Sequence, residues 1–432
     1  MLNYLAQIWK TKDLRNKILF TLFILAVYRL VTQISIPNVN MEALKIVFER
    51  NQLLGAFSAL TGGSAENFSI VLMGLSPYIN ASIIMQLMGV ISPRIEALSK
   101  EGEEGRRKIN SYTRWLTLPL GFLQSYGMIS LINASAPLPI IENIQDPSVI
   151  IPIMLTVTVG TLLVMWLGEL ITEKGIGNGI SLLIFWSIIA GLPSMLASTL
   201  ALAEEDPEQL IPLVGAMLLV IFFTVLVVFI TEGFRRVPIT YAGRSRNARG
   251  EQAVLPLRVN QAGMIPIIFA VSVVTFPSIV GQFLVSANSP WLQSVGEFAV
   301  QYFNHNSPLY LALYFLLIIG FTFFYVSITV NVDQMAENIQ RRGGFIAGMR
   351  PGAQTAEFLA KTNNRLNLWG GLMIAFVAVA PIIIQNLFQG GSTGSVPIII
   401  SGASLIIIVG VVTDLIRKVN AQMLSQHYDK FY

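Results

Sequence analysis

The sequence predicts an all-α integral membrane protein with ten transmembrane helices, and three observations carry that prediction. Of its 432 residues, 53% are hydrophobic and 12% charged, with a mean hydropathy of +0.64. Water-soluble domains carry about twice that share of charge. Ten apolar stretches are each long enough to cross a hydrocarbon core as a helix, at 18–36, 68–91, 113–133, 149–171, 180–200, 209–231, 261–285, 308–331, 367–388 and 396–415. The basic residues, finally, alternate from loop to loop in step with those stretches.

The alternation sets the orientation. The N-terminal segment holds Lys10, Lys12, Arg15 and Lys17; loops 92–114, 232–260 and 332–366, the turn at Lys174 and the tail hold most of the rest. Together these segments carry 25 of the 28 Lys and Arg residues. The opposite face has only Lys45 and Arg50, and Arg29 lies inside the first span. A bias of this size puts both termini in the cytoplasm, in agreement with an even number of spans. Residues 1–17 read as a cytoplasmic interfacial segment, with Tyr4, Leu5, Ile8 and Trp9 on one helix face. The first span runs into Ser35-Ile36-Pro37 without a small-residue cleavage pattern, so no cleaved signal is expected. Arg29 at mid-span would cost about 2.5–3.5 kcal/mol on insertion scales; a polar contact in the bundle or a reach to the outer interface would offset that.

The second span, Phe68–Ile91, is a poor lipid anchor. Gly74, Ser76, Pro77, Asn80, Ser82 and Gln86 interrupt it. Read as one helix, it places Leu75, Ile79, Ser82 and Gln86 in one stripe and Ser69, Ser76 and Asn80 in a second. Such a helix faces protein or a water-filled cavity; the plainer reading is that its polar residues bind neighbouring helices. Leu53–Gly63 precedes it on the outer side. That run is too short to span, and Gly55, Gly62 and Gly63 allow it to hinge, so a re-entrant segment is expected. An amphipathic outer loop is the alternative.

Loops 232–260 and 332–366 are too long to be simple connectors. The first carries Arg244-Ser-Arg246-Asn-Ala-Arg249-Gly and the second Gly348-Met-Arg350-Pro-Gly352. A basic tip projecting from a membrane suits an acidic surface such as RNA, anionic lipid or acidic protein. Topogenic charge alone would explain the sign of these loops but not their length.

Reaction centres are missing. The sequence has no Gly-x-x-x-x-Gly-Lys-Ser/Thr, no His-Glu-x-x-His and no paired intramembrane carboxylate. It has no cysteine, and its two histidines, His305 and His427, are far apart, so no disulfide, metal site or cofactor is expected. Gly175-Ile-Gly-Asn-Gly179 has the glycines of a phosphate loop but no preceding strand, and reads as a tight turn between the fourth and fifth spans. Glu169 and Asp414 lie at span ends, where water would solvate them. The chain is expected not to be an enzyme, and energy for any transport would come from a partner.

Four motifs in order then carry a resemblance: Gly74-Leu-Ser-Pro-Tyr-Ile-Asn-Ala-Ser-Ile-Ile, Lys100-Glu-Gly-Glu-Glu-Gly-Arg-Arg-Lys-Ile, Glu173-Lys-Gly-Ile-Gly-Asn-Gly-Ile-Ser and Gly348-Met-Arg-Pro-Gly. Together they resemble the SecY family, the central subunits of the bacterial protein-conducting channel, over Leu14 to Tyr428. The resemblance implies two five-helix halves related by inverted pseudo-symmetry, 18–200 and 201–415, with residues 53–63 as a plug and 416–432 as a cytoplasmic tail. It implies a pore closed by a ring of bulky apolar side chains: Leu75, Ile79, Ile180, Ile184, Ile268 and Ile407. Leu75 departs from the family's more usual isoleucine but keeps its branched bulk. The plug would comprise Leu54, Gly55, Ala56, Phe57, Ser58, Ala59, Leu60 and Thr61. Asn80, Gln124 and Phe276 match the lateral gate between the second and seventh spans. Arg235, Arg236, Arg244, Arg246, Arg249 and Arg350 would dock cytoplasmic partners, Arg350 most specifically.

The activity so implied is passage of unfolded secretory polypeptides across a bacterial cytoplasmic (inner) membrane, with sideways release of membrane spans into lipid. The implied partners are the SecE and SecG subunits, the SecA motor ATPase, the ribosome, signal sequences and nascent chains; no small-molecule substrate is implied. A small-solute secondary transporter with inverted repeats is the alternative, and would need a substrate-sized polar or ionic cluster at mid-membrane.

Overall fold

A computed structural model of the chain describes residues 9, 11–37, 39–50, 64–134, 139–141, 144, 146–205, 210–241, 253–285, 289–304, 307–389 and 401–429. Each predicted span overlaps a helix among the described residues. In order these are α1 (Lys12–Val31), α3 (Ser76–Ile91), α5 (Glu103–Ala134), α6 (Pro147–Lys174), α7 (Gly179–Glu205), α8 (Leu210–Glu232), α9 (Ile265–Val285), α11 (Pro308–Thr329), α13 (Ala353–Gln389) and α14 (Gly402–Asp429). Between them lie α2 (Met41–Arg50), α4 (Pro93–Lys100), α10 (Pro290–Tyr302) and α12 (Val332–Arg341), with strands β1 (Phe234–Tyr241), β2 (Ala253–Arg258) and β3 (Gly344–Phe345). Among the described residues, five helices are long and apolar enough to cross a membrane, and α3 with the start of α4 makes a sixth if that pair, bent by 106°, counts as one.

The second span departs from expectation. It is helical only from Ser76, and residues 64–75 form turns, with Phe68 at φ 42° and Gly74 at φ 50°. Pro77 stands in the first turn of α3, where its missing N–H costs nothing, and the left-handed Gly74 ends any helix upstream. Ser69 therefore does not belong to a polar helix stripe. It is buried, and its Oγ donates to the Val31 carbonyl at 3.1 Å. The turn segment is tied to the end of α1, where the Ile36 N–H donates to the Phe68 carbonyl and the Ile70 N–H to the Ile34 carbonyl, both at 3.0 Å. Arg29 lies in the last turn of α1 rather than at its middle.

The chain forms two compact units. The first comprises Met1–Ala201, Thr275–His305 and Val411–Tyr432. Its core includes Leu44, Phe68, Leu72, Ile129, Ile132 and Val157, all closed to solvent. Helix α5 packs against both α3 and α6, and α1 packs against α6. Arg114 of α5 donates from Nε to Oε1 of Glu169 in α6 at 2.7 Å, so Glu169 is ion-paired rather than left to water alone. Both groups are partly exposed, and the pair contributes about 1 kcal/mol or less. Asp146 caps α6 by accepting from the Ser148 N–H and hydroxyl, which hold its carboxyl below the usual carboxylate range. A carboxyl lowered in this way stabilises the fold at neutral pH and loses that contribution only as the pH falls through its lowered pKa. The Gly175–Gly179 segment is the tight turn expected: Asn178 Oδ1 caps α7 by accepting from the Ile180 and Ser181 N–H groups at 3.1 and 3.3 Å.

The second unit comprises Leu202–Val274 and Asn306–Gly410. Here α13 packs along α11 and touches α8, over a core that includes Ile267, Tyr314, Ile318, Ala375 and Val377.

Helix α6 meets the turn segment so closely at Gly160 that a Cβ there would overlap the Ile70 carbonyl oxygen. A backbone atom cannot swing aside as a side chain can. Gly160→Ala should therefore destabilise the first unit by about 1–3 kcal/mol, read as a lower thermal unfolding midpoint in detergent. Gly191→Ala, with no atom within 4 Å of the added carbon, should leave the midpoint unchanged or raise it.

Candidate functional site

The six apolar residues of the expected ring divide between the units. Leu75 is the N-cap of α3 and is buried, and Ile79, one turn on, is half-buried. Ile180 and Ile184 occupy successive turns of α7 and are both half-buried. Ile268 is half-buried in α9, and Ile407 in α14 is 3% exposed. The first four belong to the first unit, and Ile268 and Ile407 to the second. The i, i+4 spacing puts each of the two pairs on one helix face.

The expected gate residues differ from one another. Asn80 is half-buried on α3, beside Ile79. Gln124 lies on α5, against which α3 packs, and its Oε1 is buried without a hydrogen-bond partner. Phe276 on α9 is 64% exposed. On the polar stripe of α3, Gln86 Nε2 donates to Ser82 Oγ at 3.2 Å, so part of that stripe is satisfied within the helix. The expected plug residues, 54–61, and Arg244, Arg246 and Arg249 lie outside the described residues.

The two long basic loops, expected as separate docking tips, fold together in the second unit. Strand β1 is central, antiparallel to β2 with Val237 opposite Leu255 and to β3 with Tyr241 opposite Gly344. Val237 and Ile239 alternate inward and meet Leu257, Ala336, Ile339, Ile346 and Leu359 in one apolar cluster. Helix α12 covers it, its N-terminus capped by Asn331 Oδ1, which accepts from the Gln334 N–H at 3.0 Å. The basic side chains face outward. Arg235, Arg236 and Arg350 are exposed, and the Arg236 guanidinium lies 5.2 Å from the centre of the Phe234 ring.

Arg350 is held by its backbone. Gly348 at φ 84° and Gly352 at φ 100° make the sharp turns on either side of it. Its N–H donates to Gln354 Oε1 at 3.2 Å, and its carbonyl accepts from Thr355 Oγ1 at 3.0 Å. The tip is thus fixed to the first turn of α13 while the guanidinium projects. Sequence reasoning missed this shared core. The available signal was the period-2 alternation of Val237 with Ile239 and of Leu255 with Leu257.

The SecY family model matches residues 69–416. The chain belongs to the SecY family. It is 39% identical to the protein translocase subunit SecY of Halalkalibacterium halodurans, over the whole of both chains. It is 39% identical to that of Streptomyces scabiei and 37% identical to that of Mycobacterium tuberculosis (strain H37Rv), again over the whole of each chain. Its fold is similar to a solved structure described as "The structure of a protein conducting channel", with a TM-score of 0.67 and 17% identity over 95% of this chain and 93% of that one. It is also similar to "Sec61 in the Canine ribosome-channel complex from the endoplasmic reticulum", with a TM-score of 0.64 and 17% identity over 95% and 93%. SecY proteins are multi-pass membrane proteins and not an enzyme family, and the long apolar helices of this chain fit that membership.

The apolar cluster under the sheet is a small core that depends on few side chains. Ile339→Ala should destabilise this polar end by about 2–5 kcal/mol. Limited proteolysis should then cut within residues 234–258 and 332–366 faster than in the unaltered chain, with the apolar helices still protected.

Proposed function

We propose that this chain is the protein-conducting subunit of a translocon in a bacterial cytoplasmic membrane. It passes unfolded secretory polypeptides across and releases apolar spans sideways into lipid. The full-length match to bacterial chains named protein translocase subunit SecY supports this reading. Ten spans cross the membrane with both termini in the cytoplasm, in two inverted five-helix halves.

In this reading Leu75, Ile79, Ile180, Ile184, Ile268 and Ile407 close the waist of an hourglass pore. An apolar constriction excludes ions because water leaves it, while a flexible chain can part side chains that are held only by dispersion. Residues 54–61 seat beneath it as a plug. The second and seventh spans open as a gate at Asn80, Gln124 and Phe276. The sheet-bearing end docks the SecA motor or the ribosome through Arg235, Arg236, Arg244, Arg246, Arg249 and Arg350; SecE clamps the two halves and SecG is a third subunit.

The gate supplies the test. The chain has no cysteine, so an introduced pair is the only pair. Asn80→Cys with Phe276→Cys should cross-link through a disulfide, which requires Cα atoms about 4.4–6.8 Å apart, or through a short reagent. The locked protein should stop secretion and span insertion, and reduction should restore both. Export at the uncross-linked rate with bonding complete would remove the gate. A small-solute transporter would give no reason for the lock to stop export.

Docking is tested separately. Arg350→Glu should slow motor-driven or ribosome-coupled translocation at least tenfold, the effect of about 1.4 kcal/mol on a rate, with membrane insertion and thermal stability unchanged. A wild-type secretion rate would leave Arg350 a merely topogenic charge.

A further inference from the structure

Helices α11 and α13 of the second unit part at their polar ends. The cleft between them has a volume of about 360 Å³. Its α11 side is largely apolar, with Phe323, Phe324, Val326 and, just past the helix end, Val330; Ser327 is the one polar residue there. Its α13 side carries Ala360, the exposed Asn364, and Asn363 and Asn367, the last two one turn apart on the same helix face. The two asparagines are 6% and 2% exposed, and the Oδ1 of each is buried without a hydrogen-bond partner. Among the described residues, no ionisable side chain lines the cleft.

An orphaned buried amide costs about 1–3 kcal/mol. Two of them on one face are hard to account for as packing, because leucine at both positions would suit the apolar wall opposite. Neither asparagine caps a helix. A ligand that hydrogen-bonds to both would remove the cost.

The side chains on either side of the cleft suit headgroup depth. Just beyond Asn367 on α13, Leu368 and Trp369 are 44% and 62% exposed, as side chains in contact with lipid are. In the other direction Glu357 and Lys361 form a solvent-exposed ion pair at 2.7 Å. Apolar and charged side chains thus give way to one another at Asn363 and Asn367.

We propose that this cleft holds the headgroup of one phospholipid of the phosphatidylethanolamine class. The terminal torsion of an asparagine is soft, so each amide can present an acceptor or a donor. Each Oδ1 is closed to solvent in this structure, so the amides turn about that torsion to accept from a primary ammonium, and the adjoining phosphate offers oxygens to Nδ2. The headgroup has no net charge, matching a cleft without ionisable groups. Phosphatidylglycerol would bring an anionic charge that no lining side chain neutralises, and phosphatidylcholine has no N–H to donate. The inference rests on the membrane placement of α11 and α13 and is independent of protein conduction.

Native mass spectrometry tests it on the full chain, with any subunits that purify with it, in micelles doped with equal amounts of phosphatidylethanolamine, phosphatidylglycerol and phosphatidylcholine. One phosphatidylethanolamine should be retained over either other lipid by about tenfold, the factor that two net hydrogen bonds give. Asn363→Leu combined with Asn367→Leu should abolish the preference. Ala360→Phe, which fills the cleft and leaves both amides in place, should abolish it too, and decides the matter if the double variant unfolds. Retention unchanged by Ala360→Phe, or equal retention of the three lipids by the unaltered chain, would mean that the cleft holds only water and would overturn the proposal.

Discussion

No water reaches the hydrocarbon core of a membrane, so every backbone N–H and C=O there needs a partner within the protein. The structure follows from how this chain meets that demand. Helices meet it by themselves. The turns at residues 64–75 cannot, and they borrow the end of α1 through Ile34, Ile36 and the Ser69 hydroxyl. The turn between α6 and α7 does the same with two threonines: Thr21 accepts from the Ile176 N–H at 3.2 Å and Thr172 from the Gly179 N–H at 2.8 Å. Many hydroxyls within the spans are satisfied locally, though those of Ser278 and Tyr314 are buried without a partner. Thr117, Thr158, Thr161, Ser187, Thr231 and Thr322 each donate to the carbonyl four residues back. A serine or threonine in such a helix is therefore no sign of a polar passage. An amide oxygen finds no donor among the carbonyls of its own helix, and those of Gln124, Asn363 and Asn367 are buried without a partner.

Packing follows from the same constraint. Lipid tails are as apolar as leucine, so helices associate through close backbone approach rather than through the hydrophobic effect. Glycines mark the closest approaches: Gly160 against the Ile70 carbonyl, Gly179 against that of Gly168, and Gly370 against that of Val259. Gly402 joins two of these themes. Pro381 has no N–H, so in α13 it leaves the Val377 carbonyl without its helical donor. Gly402, at the start of α14, lies against that carbonyl and leaves no room there for a side chain. Proline and glycine, 21 positions apart in sequence, are explained by one contact.

Composition made the all-α membrane class legible, because it is a sum over many residues. What depends on single partners was not legible. The start of α3 turns on Gly74 and Pro77, and the hydropathy of Phe68–Leu75 hides it. The ion pair of Arg114 with Glu169 joins residues 55 positions apart, and neither residue announces the other. The sheet was hidden by arginines: in β1 the inward residues Val237 and Ile239 follow Arg235 and Arg236, so the segment reads as a basic loop. The apolar ring has no signature of its own among so many isoleucines; those residues were picked out by resemblance to a family and by nothing in their spacing beyond two i, i+4 pairs.

The folded polar end changes what a basic tip can do. A guanidinium on a slack loop would bind a partner and transmit nothing. Arg350 is instead fastened by its own backbone to Gln354 and Thr355, in the first turn of a 37-residue helix. At 1.5 Å per residue that helix is about 55 Å long, enough to run from the sheet through the thickness of a bilayer. The cluster under the sheet includes Leu359 of the same helix, so α13 is gripped along its first two turns. A load applied at the tip would enter the first turns of α13, whose interior then offers Gly370-Gly371 and Pro381 as the places where the helix can bend. The shared core gives the two loops a structural reason for their length that topogenic charge does not.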